Sequence, residues 1–485
     1  MKKERFSLLL QLAFPLAYFL LSYDLPFWGD SIASVSKAAI RIYEDGLQHP
    51  WNYSDADPGH PTLFPWLIAL GWKIFGYSLW VPHALMAVAL FACARLMYLL
   101  ASPLSEEWKS ALLLLLFVSP LTISQGVSIS LQLPLTAFFL AAFYSWRKKY
   151  YVWFMFYASC MVLTHLQGVL LLATLSLYEV WKQKFNIPNL IKSALYFLAP
   201  VGVFVAWCFV HYLEFGWAYI TPNFPRSKPG FGTMVYNLAL MAWRYLDLGY
   251  FIIGLPALWF AVKKVGKGSD GDSEKIFLTS IAVLCISISV LFVDPPSHRY
   301  ILPVYFYMAL LFVKQMQTWS KTKQAIGFSL ASILLLSGSI WQYPGKCLGD
   351  QNLVFLNYHS LEKEVEQLLP EGTVVYSFAP LNNNGPHTYL EDRHLVHRDL
   401  YNANLDTVPF ILQSNLTCEF STINTDSLSA NFSVQSFERW GVYLNLWVNE
   451  NQWEKYPELK ENHARTPSAV EEFIARLKKE IKPER

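Results

Sequence analysis

The 485 residues are 54% hydrophobic and only 15% charged, with a positive mean hydropathy and a net charge of +2. That is more apolar material than a water-soluble core of this length needs, and the near-balanced charge offers no basic surface for nucleic acid. The composition is that of an α-helical polytopic membrane protein.

Apolar runs of about twenty residues, the length a helix needs to cross the hydrocarbon, are expected near 6–22, 80–101, 190–212, 236–262, 276–293, 298–317 and 324–341. A continuous apolar block at 109–181 divides into about four more, which makes about eleven transmembrane helices in all. The first run lacks a small-residue cleavage site and reads as an anchor. Lys2, Lys3 and Arg5 hold the N-terminus in the cytoplasm, because basic residues flanking a span resist translocation. With alternating spans, Arg147-Lys148-Lys149, Lys182, Lys184, Lys263, Lys264 and Lys321 also fall inside. Loops 23–60 and 213–235 then fall outside.

In the first outer loop, Ile32, Val35, Ala39, Ile42 and Tyr43 recur at three and four positions, the mark of an amphipathic juxtamembrane helix over 30–47. Gly29-Asp30-Ser31 precedes it, and Asp is a common N-cap residue. Asp57-Pro58-Gly59-His60-Pro61 then returns the chain to the membrane surface, a pattern that also serves as turn punctuation. The apolar stretch 61–76 is too short to cross, opens with Pro61 at a first-turn position and carries Lys73. It reads as a re-entrant or surface-lying helix. Asp55 and Asp57 alone are a weak signal for a divalent cation, so no metal and no cofactor is expected.

After Trp341 the apolar runs shorten and turn signals such as Asn382-Asn383-Asn384-Gly385-Pro386 appear. The expected division is a transmembrane part over 1–344 and a small soluble, extracytoplasmic α+β domain over 345–485. Strands are expected at 373–378 and 440–447, and helices at 352–369 and 468–482. Cys347 and Cys418 both fall in this region; whether they pair is open.

The order of motifs resembles that of the integral-membrane C-type glycosyltransferases, and within them the glycosyltransferase family 39-like group of protein O-mannosyltransferases and lipid A aminoarabinose transferases. The group's outer loop begins with Asp-Glu and ends in His-Pro-Pro-Leu or Lys-Pro-Pro-Leu; here the corresponding residues are Asp30-Ser31 and His60-Pro61-Thr62-Leu63. Ser119-Pro120, Gln132-Leu133-Pro134-Leu135 and Thr164-His165-Leu166-Gln167-Gly168 follow in family order. Ser297-His298-Arg299-Tyr300-Ile301-Leu302-Pro303 resembles the Arg-Tyr-Leu-Leu-Pro start of a late span. The second acidic residue of the loop is missing, as is an Asp usual near Gln132. These motifs cover about the first 320 residues and leave the C-terminal domain aside.

Lysine-rich ends and short loops point to a bacterial plasma (cell inner) membrane, with the endoplasmic reticulum as the alternative. The resemblance implies an enzyme that moves a sugar from a polyprenyl-phosphate or dolichyl-phosphate donor to an acceptor hydroxyl on a glycan, lipid or protein at the extracytoplasmic face. It implies Asp30 as the general base of an inverting single displacement. Arg299, with Tyr300 beside it, His60 in the family's His or Lys position, Arg244 and Asp57 are the implied substrate-binding residues. Arg299 also reads as an interfacial anchor, and Arg244 as the partner of Asp247. Loop 213–235 either covers the donor or is a plain exposed connection. A lipid-linked sugar transporter or flippase is the competing class, but no internal repeat is evident and the polar groups gather at one face.

Overall fold

The computed structural model describes residues 2–28, 31–49, 57, 59–218, 230–266, 271–291, 297–341, 351–377, 395–400, 403–415 and 432–450. They fall into two compact units, Met1–Phe27 with Ala33–Ser339, and Trp28–Ile32 with Ile340–Arg485.

The larger unit is helical. After α1 (Lys2–Ser22) the first loop forms a π turn, Ile32–Ser36, that runs into α2 (Lys37–Glu44). Val35, Ala39 and Ile42 are fully buried, so the amphipathic face expected from their spacing is the packed one. The short apolar helix α3 (Leu63–Phe75) has only 13 residues, in line with a segment that does not cross. Its first residue is Leu63 with Thr62 as N-cap, so Pro61 precedes the helix instead of sitting in its first turn, where Pro65 stands.

There follow α4 (Trp80–Leu100), α5 (Glu106–Phe117), α6 (Pro120–Val127), α7 (Gln132–Arg147), α8 (Tyr151–Thr164), α9 (Gln167–Lys182) and α10 (Ile187–Phe215). The unit ends with α11 (Phe231–Arg244), α12 (Phe251–Gly266), α13 (Asp272–Leu291), a 3-10 turn at His298–Ile301, α14 (Leu302–Met316) and α15 (Lys321–Ile340). Five of these, α1, α4, α10, α13 and α15, are long and apolar enough to cross a bilayer, or six if α5 and α6, bent by 64°, make one span. The chain is a multi-pass membrane protein, but the expected eleven full-length helices are not found among the described residues. The shorter α7, α8, α9, α11, α12 and α14 have 14–16 residues. At 1.5 Å per residue they reach about 21–24 Å, short of a hydrocarbon core of about 30 Å.

The stretch 236–262 is likewise two helices and not one. Leu248 and Gly249 adopt positive φ of 52° and 85°, and the Leu248 N–H donates to Asp247 Oδ1 at 2.7 Å. Arg244 therefore ends α11, where a span running through 236–262 would have buried it two turns deep. Helix α15 presses on this break backbone to backbone: a side chain at Gly249 would strike the Leu334 carbonyl, and one at Gly338 the Leu248 carbonyl. On another side, the Tyr250 hydroxyl bonds to Ser119 Oγ at the α5–α6 bend and accepts from the Leu121 N–H at 3.3 Å. Irregular backbone is thus sealed inside protein, the condition under which it persists at membrane depth.

Charges tie one end of the bundle. Asp272, at the start of α13, receives Arg147 Nε from α7 at 2.9 Å, Lys182 Nζ from α9 at 3.2 Å and the Tyr178 hydroxyl at 2.5 Å. Lys314 near the end of α14 pairs with Glu274 at 3.1 Å. Arg147 and Lys182 were expected on one side of the membrane, and they meet on one carboxylate. The opposite ends of α7, α9 and α14 carry Gln132, Gln167 and the 3-10 turn.

The smaller unit holds α16 (Phe355–Glu366) and a five-stranded sheet of β1 (Thr373–Ser377), β2 (Leu395–Asp399), β3 (Phe410–Ser414), β4 (Phe432–Arg439) and β5 (Val442–Asn449), in the order β2-β1-β3-β5-β4. Strand β1 is parallel to β2 and β3, and the rest are antiparallel. Positive φ at Trp440 and Gly441 (51° and 77°) makes the tight turn that joins β4 to β5. Leu400, Val408, Ile411, Phe432 and Trp447 form its core. The α+β character and the strands at 373–378 and 440–447 match the sequence reading to within a residue or two. Cys347, Cys418 and the helix expected at 468–482 lie outside the described residues.

Trp28 is part of this unit. Its ring packs on Phe355, Tyr358 and His359 at centroid distances of 6.1, 4.7 and 5.1 Å. Ser31 closes back on it: the Ser31 N–H donates to the Trp28 carbonyl at 3.1 Å, and Ser31 Oγ donates to the same oxygen at 2.7 Å while accepting the Trp28 N–H at 2.9 Å.

Candidate functional site

At the end of the bundle away from Asp272, polar side chains from six segments form a continuous chain. Its centre is the break between α8 and α9. His165 is extended there (φ −158°, ψ 146°), and Gly168 allows α9 to cross the last turn of α8 so closely that a Cβ would strike the Met161 carbonyl. His165 Nδ1 accepts the Gln167 N–H at 2.9 Å, which leaves the Nε2 edge to meet the Gln132 amide at 3.5 Å. Enlarging Gly168 should move this ring. Gly168→Ala is expected to lower stability by about 1–3 kcal/mol through overpacking, read as a drop in the melting temperature of the detergent-solubilised protein; an unchanged melting temperature would show that the crossing can relax.

Two of the sequence-chosen residues meet at His165. The His60 ring lies over it at 4.1 Å with a 31° tilt, and the Tyr300 ring stands 6.2 Å away. The Gln167 amide also bonds to the Tyr300 carbonyl, which fixes the 3-10 turn against α9. Next to Tyr300, Arg299 is 8% exposed, its guanidinium 5.6 Å from the Tyr300 ring centroid, and its N–H donates to Ser297 Oγ at 3.5 Å. Burial pushes the His60 imidazole down to about 4, against the smaller upward pull of Asp57, so the ring is neutral at pH 7.

One residue before Arg299, His298 Nε2 lies 2.9 Å from Asp247 Oδ2, and Arg244 reaches the same carboxylate oxygen at 3.7 Å. Arg244 is thus close to Asp247, the partner that competed for it in the sequence, and also 3.5 Å from His298. The Tyr305 hydroxyl bonds to the Arg244 carbonyl and holds the end of α11 to α14. On the far side of His60, Asp57 Oδ1 accepts the Gly59 N–H at 2.9 Å, and Asp57 Oδ2 lies 3.2 Å from Nε2 of His211, near the end of α10.

His60 and Tyr300 are therefore gathered around His165, with Arg299 beside Tyr300, while Arg244 lies near Asp247 and His298, and Asp57 near His211. Asp30 lies outside the described residues, as does 219–229 of the loop expected to cover or merely connect. Sequence reasoning quoted Gln132, His165 and Gln167 as motif positions without giving them a role, and passed over His211 and His298. An imidazole inside an apolar span is a signal in its own right, since ionisable groups are expensive there.

No family model and no curated protein matches the chain. Among solved structures, two crystal structures of ArnT from Cupriavidus metallidurans, one bound to undecaprenyl phosphate and one in the apo state, match with a TM-score of 0.55 each. Each is 13% identical, over 90% of this chain and 97% of the ArnT chain. The resemblance read from the order of motifs is thus matched at the level of the fold: the chain has the fold of ArnT.

Proposed function

We propose that the protein is a glycosyltransferase that takes a sugar from a polyprenyl-phosphate carrier and delivers it to an acceptor hydroxyl. The observation that carries this reading is the buried Arg299 beside Tyr300, whose ring neighbours the stacked His165 and His60, at one end of a bundle whose fold is shared with an ArnT bound to undecaprenyl phosphate. The acceptor oxygen attacks the anomeric carbon as the bond from that carbon to the phosphate oxygen breaks, and the phosphate leaves with the electron pair. Asp30 takes the hydroxyl proton, and attack opposite the leaving group inverts the anomeric centre. Arg299 stabilises the departing phosphate by charge and by its forked donors, and His60, packed on His165, adds a hydrogen bond. Tyr300 orients Arg299, Arg244 adds positive charge from its place beside Asp247 and His298, and Asp57 supports the His60 turn. The Asp272 end carries the basic flanks and is assigned to the cytoplasm; the His165 end and the C-terminal domain are assigned to the extracytoplasmic side of the cell membrane.

The deciding test is to incubate purified protein with a panel of polyprenyl-phosphate sugars and acceptors and to detect released lipid phosphate. Movement of intact donor across the bilayer without release would favour a flippase instead. A second expectation concerns pH. Because His60 without ligand titrates near 4, a bound anion raises its affinity for a proton, so donor binding takes up a proton. Donor affinity should rise as pH is lowered from 7 and level off below about 4, and His60→Asn should flatten that slope. A wild-type affinity that falls or stays level on acidification would remove His60 from the phosphate site.

A further inference from the structure

His211 is 2% exposed and sits among three aromatic rings, Trp207, Phe215 and Trp217, at centroid distances of 4.9, 4.4 and 4.1 Å. Its Nδ1 is 2.9 Å from the Trp217 carbonyl oxygen, so that nitrogen donates. Its other nitrogen faces Asp57 Oδ2 at 3.2 Å. Trp207 and Phe215 tilt against the ring at 38° and 36°, and Trp217 stands edge-on at 69°, so the ring is held between them with its Nε2 edge toward the carboxylate. Asp57 in turn accepts the Gly59 N–H, which turns the chain into His60.

We propose that His211 is a positioning residue: caged by Trp207, Phe215 and Trp217, it grips Asp57 and so fixes the Asp57-to-His60 turn, which sets the His60 ring on His165 where a lipid phosphate binds. This deepens the preceding reading and rests on it for the identity of the ligand. The grip joins the return of the first loop to the end of α10 and to Trp217 just beyond it. Loss of either partner frees His60 to leave its stack without removing any group that touches the phosphate. His211 and Asp57 therefore act as one unit.

The test uses the full-length protein in detergent or nanodiscs, with undecaprenyl phosphate itself as the probe. His211→Phe keeps the aromatic volume of the cage and removes both ring nitrogens; Asp57→Asn removes the charge from the other side. Each is expected to weaken undecaprenyl phosphate binding about tenfold, and the double variant no more than the weaker single, because groups coupled in one network do not add. His211→Gln, which keeps an amide donor near Asp57, is expected to recover part of the loss and guards against a variant that fails to fold. Additive losses, or binding equal to wild type in His211→Phe, would overturn the grip. Lipid-phosphate release by the wild type tests the transferase reading separately, so a protein that binds undecaprenyl phosphate in this pattern yet releases none would retain the grip and lose the chemistry.

Discussion

Asp30→Asn is expected to lower the rate of sugar transfer by about 10²–10⁴-fold, the share a general base contributes, while donor binding stays near wild type. The replacement separates two roles that the sequence leaves overlapping. Asp30 precedes the π turn at Ile32–Ser36, so a purely structural task for it is to cap that first turn. Asn caps a helix as well as Asp does, and it has nearly the same size. A capping residue would therefore survive the exchange, but a proton acceptor would not, because a neutral amide cannot take the acceptor hydroxyl's proton. The local frame should also persist. Trp28 and Ser31 close on each other through three hydrogen bonds, and Trp28 is held by Phe355, Tyr358 and His359. The measurement is initial rate of lipid-phosphate release alongside donor affinity on the same preparation. An Asp30→Asn protein with wild-type rate would leave the reaction without its base and return Asp30 to capping.

What the sequence disclosed and what it hid follow from the kind of signal each feature leaves. Hydropathy marks a buried helix but not where it stops, because an all-apolar stretch has no polar face to count turns by. The runs at 80–101 and 324–341 were legible for that reason, whereas Ser119-Pro120, where the chain bends by 64°, was noted only as a motif position. The break at 245–250 was not read, although Asp247 and Gly249 were its signature: an Asp that bonds the next N–H and a glycine at φ 85°. Both were absorbed into an apolar window. The amphipathic face at Val35, Ala39 and Ile42 was legible because one side of it is polar. His165 and His211 show the limit at the site. Neither has a sequence neighbour that names its task; one is defined by a ring stacked from a residue about a hundred positions away, and the other by a carboxylate in a different loop. Motif order named the residues proposed to touch substrate, and tertiary contacts alone revealed those that pack against them.

The second large effect belongs to Arg299. Arg299→Ala should weaken donor binding on the order of 10²-fold or more, since truncating one partner of a desolvated charge pair costs about 2–5 kcal/mol. Its surroundings make the loss specific to the phosphate. The guanidinium is 8% exposed, so an anion bound there is held away from bulk water and its attraction to the cation is screened less than at the surface. The turn that carries it is fixed independently, by Gln167 on the Tyr300 carbonyl and by His298 on Asp247 at 2.9 Å, so the backbone should remain in place when the side chain is removed. Arg299→Lys keeps the charge but loses the fork, and is expected to fall between the two. Arg244 cannot substitute, because Asp247 shares its charge at 3.7 Å. If Arg299 only anchored a helix end at the interface, Arg299→Ala would disturb insertion or stability and leave the affinity of correctly inserted protein alone. Binding of undecaprenyl phosphate to purified, monodisperse variants distinguishes the two, and equal affinity in Arg299→Ala would take the phosphate away from this end of α14.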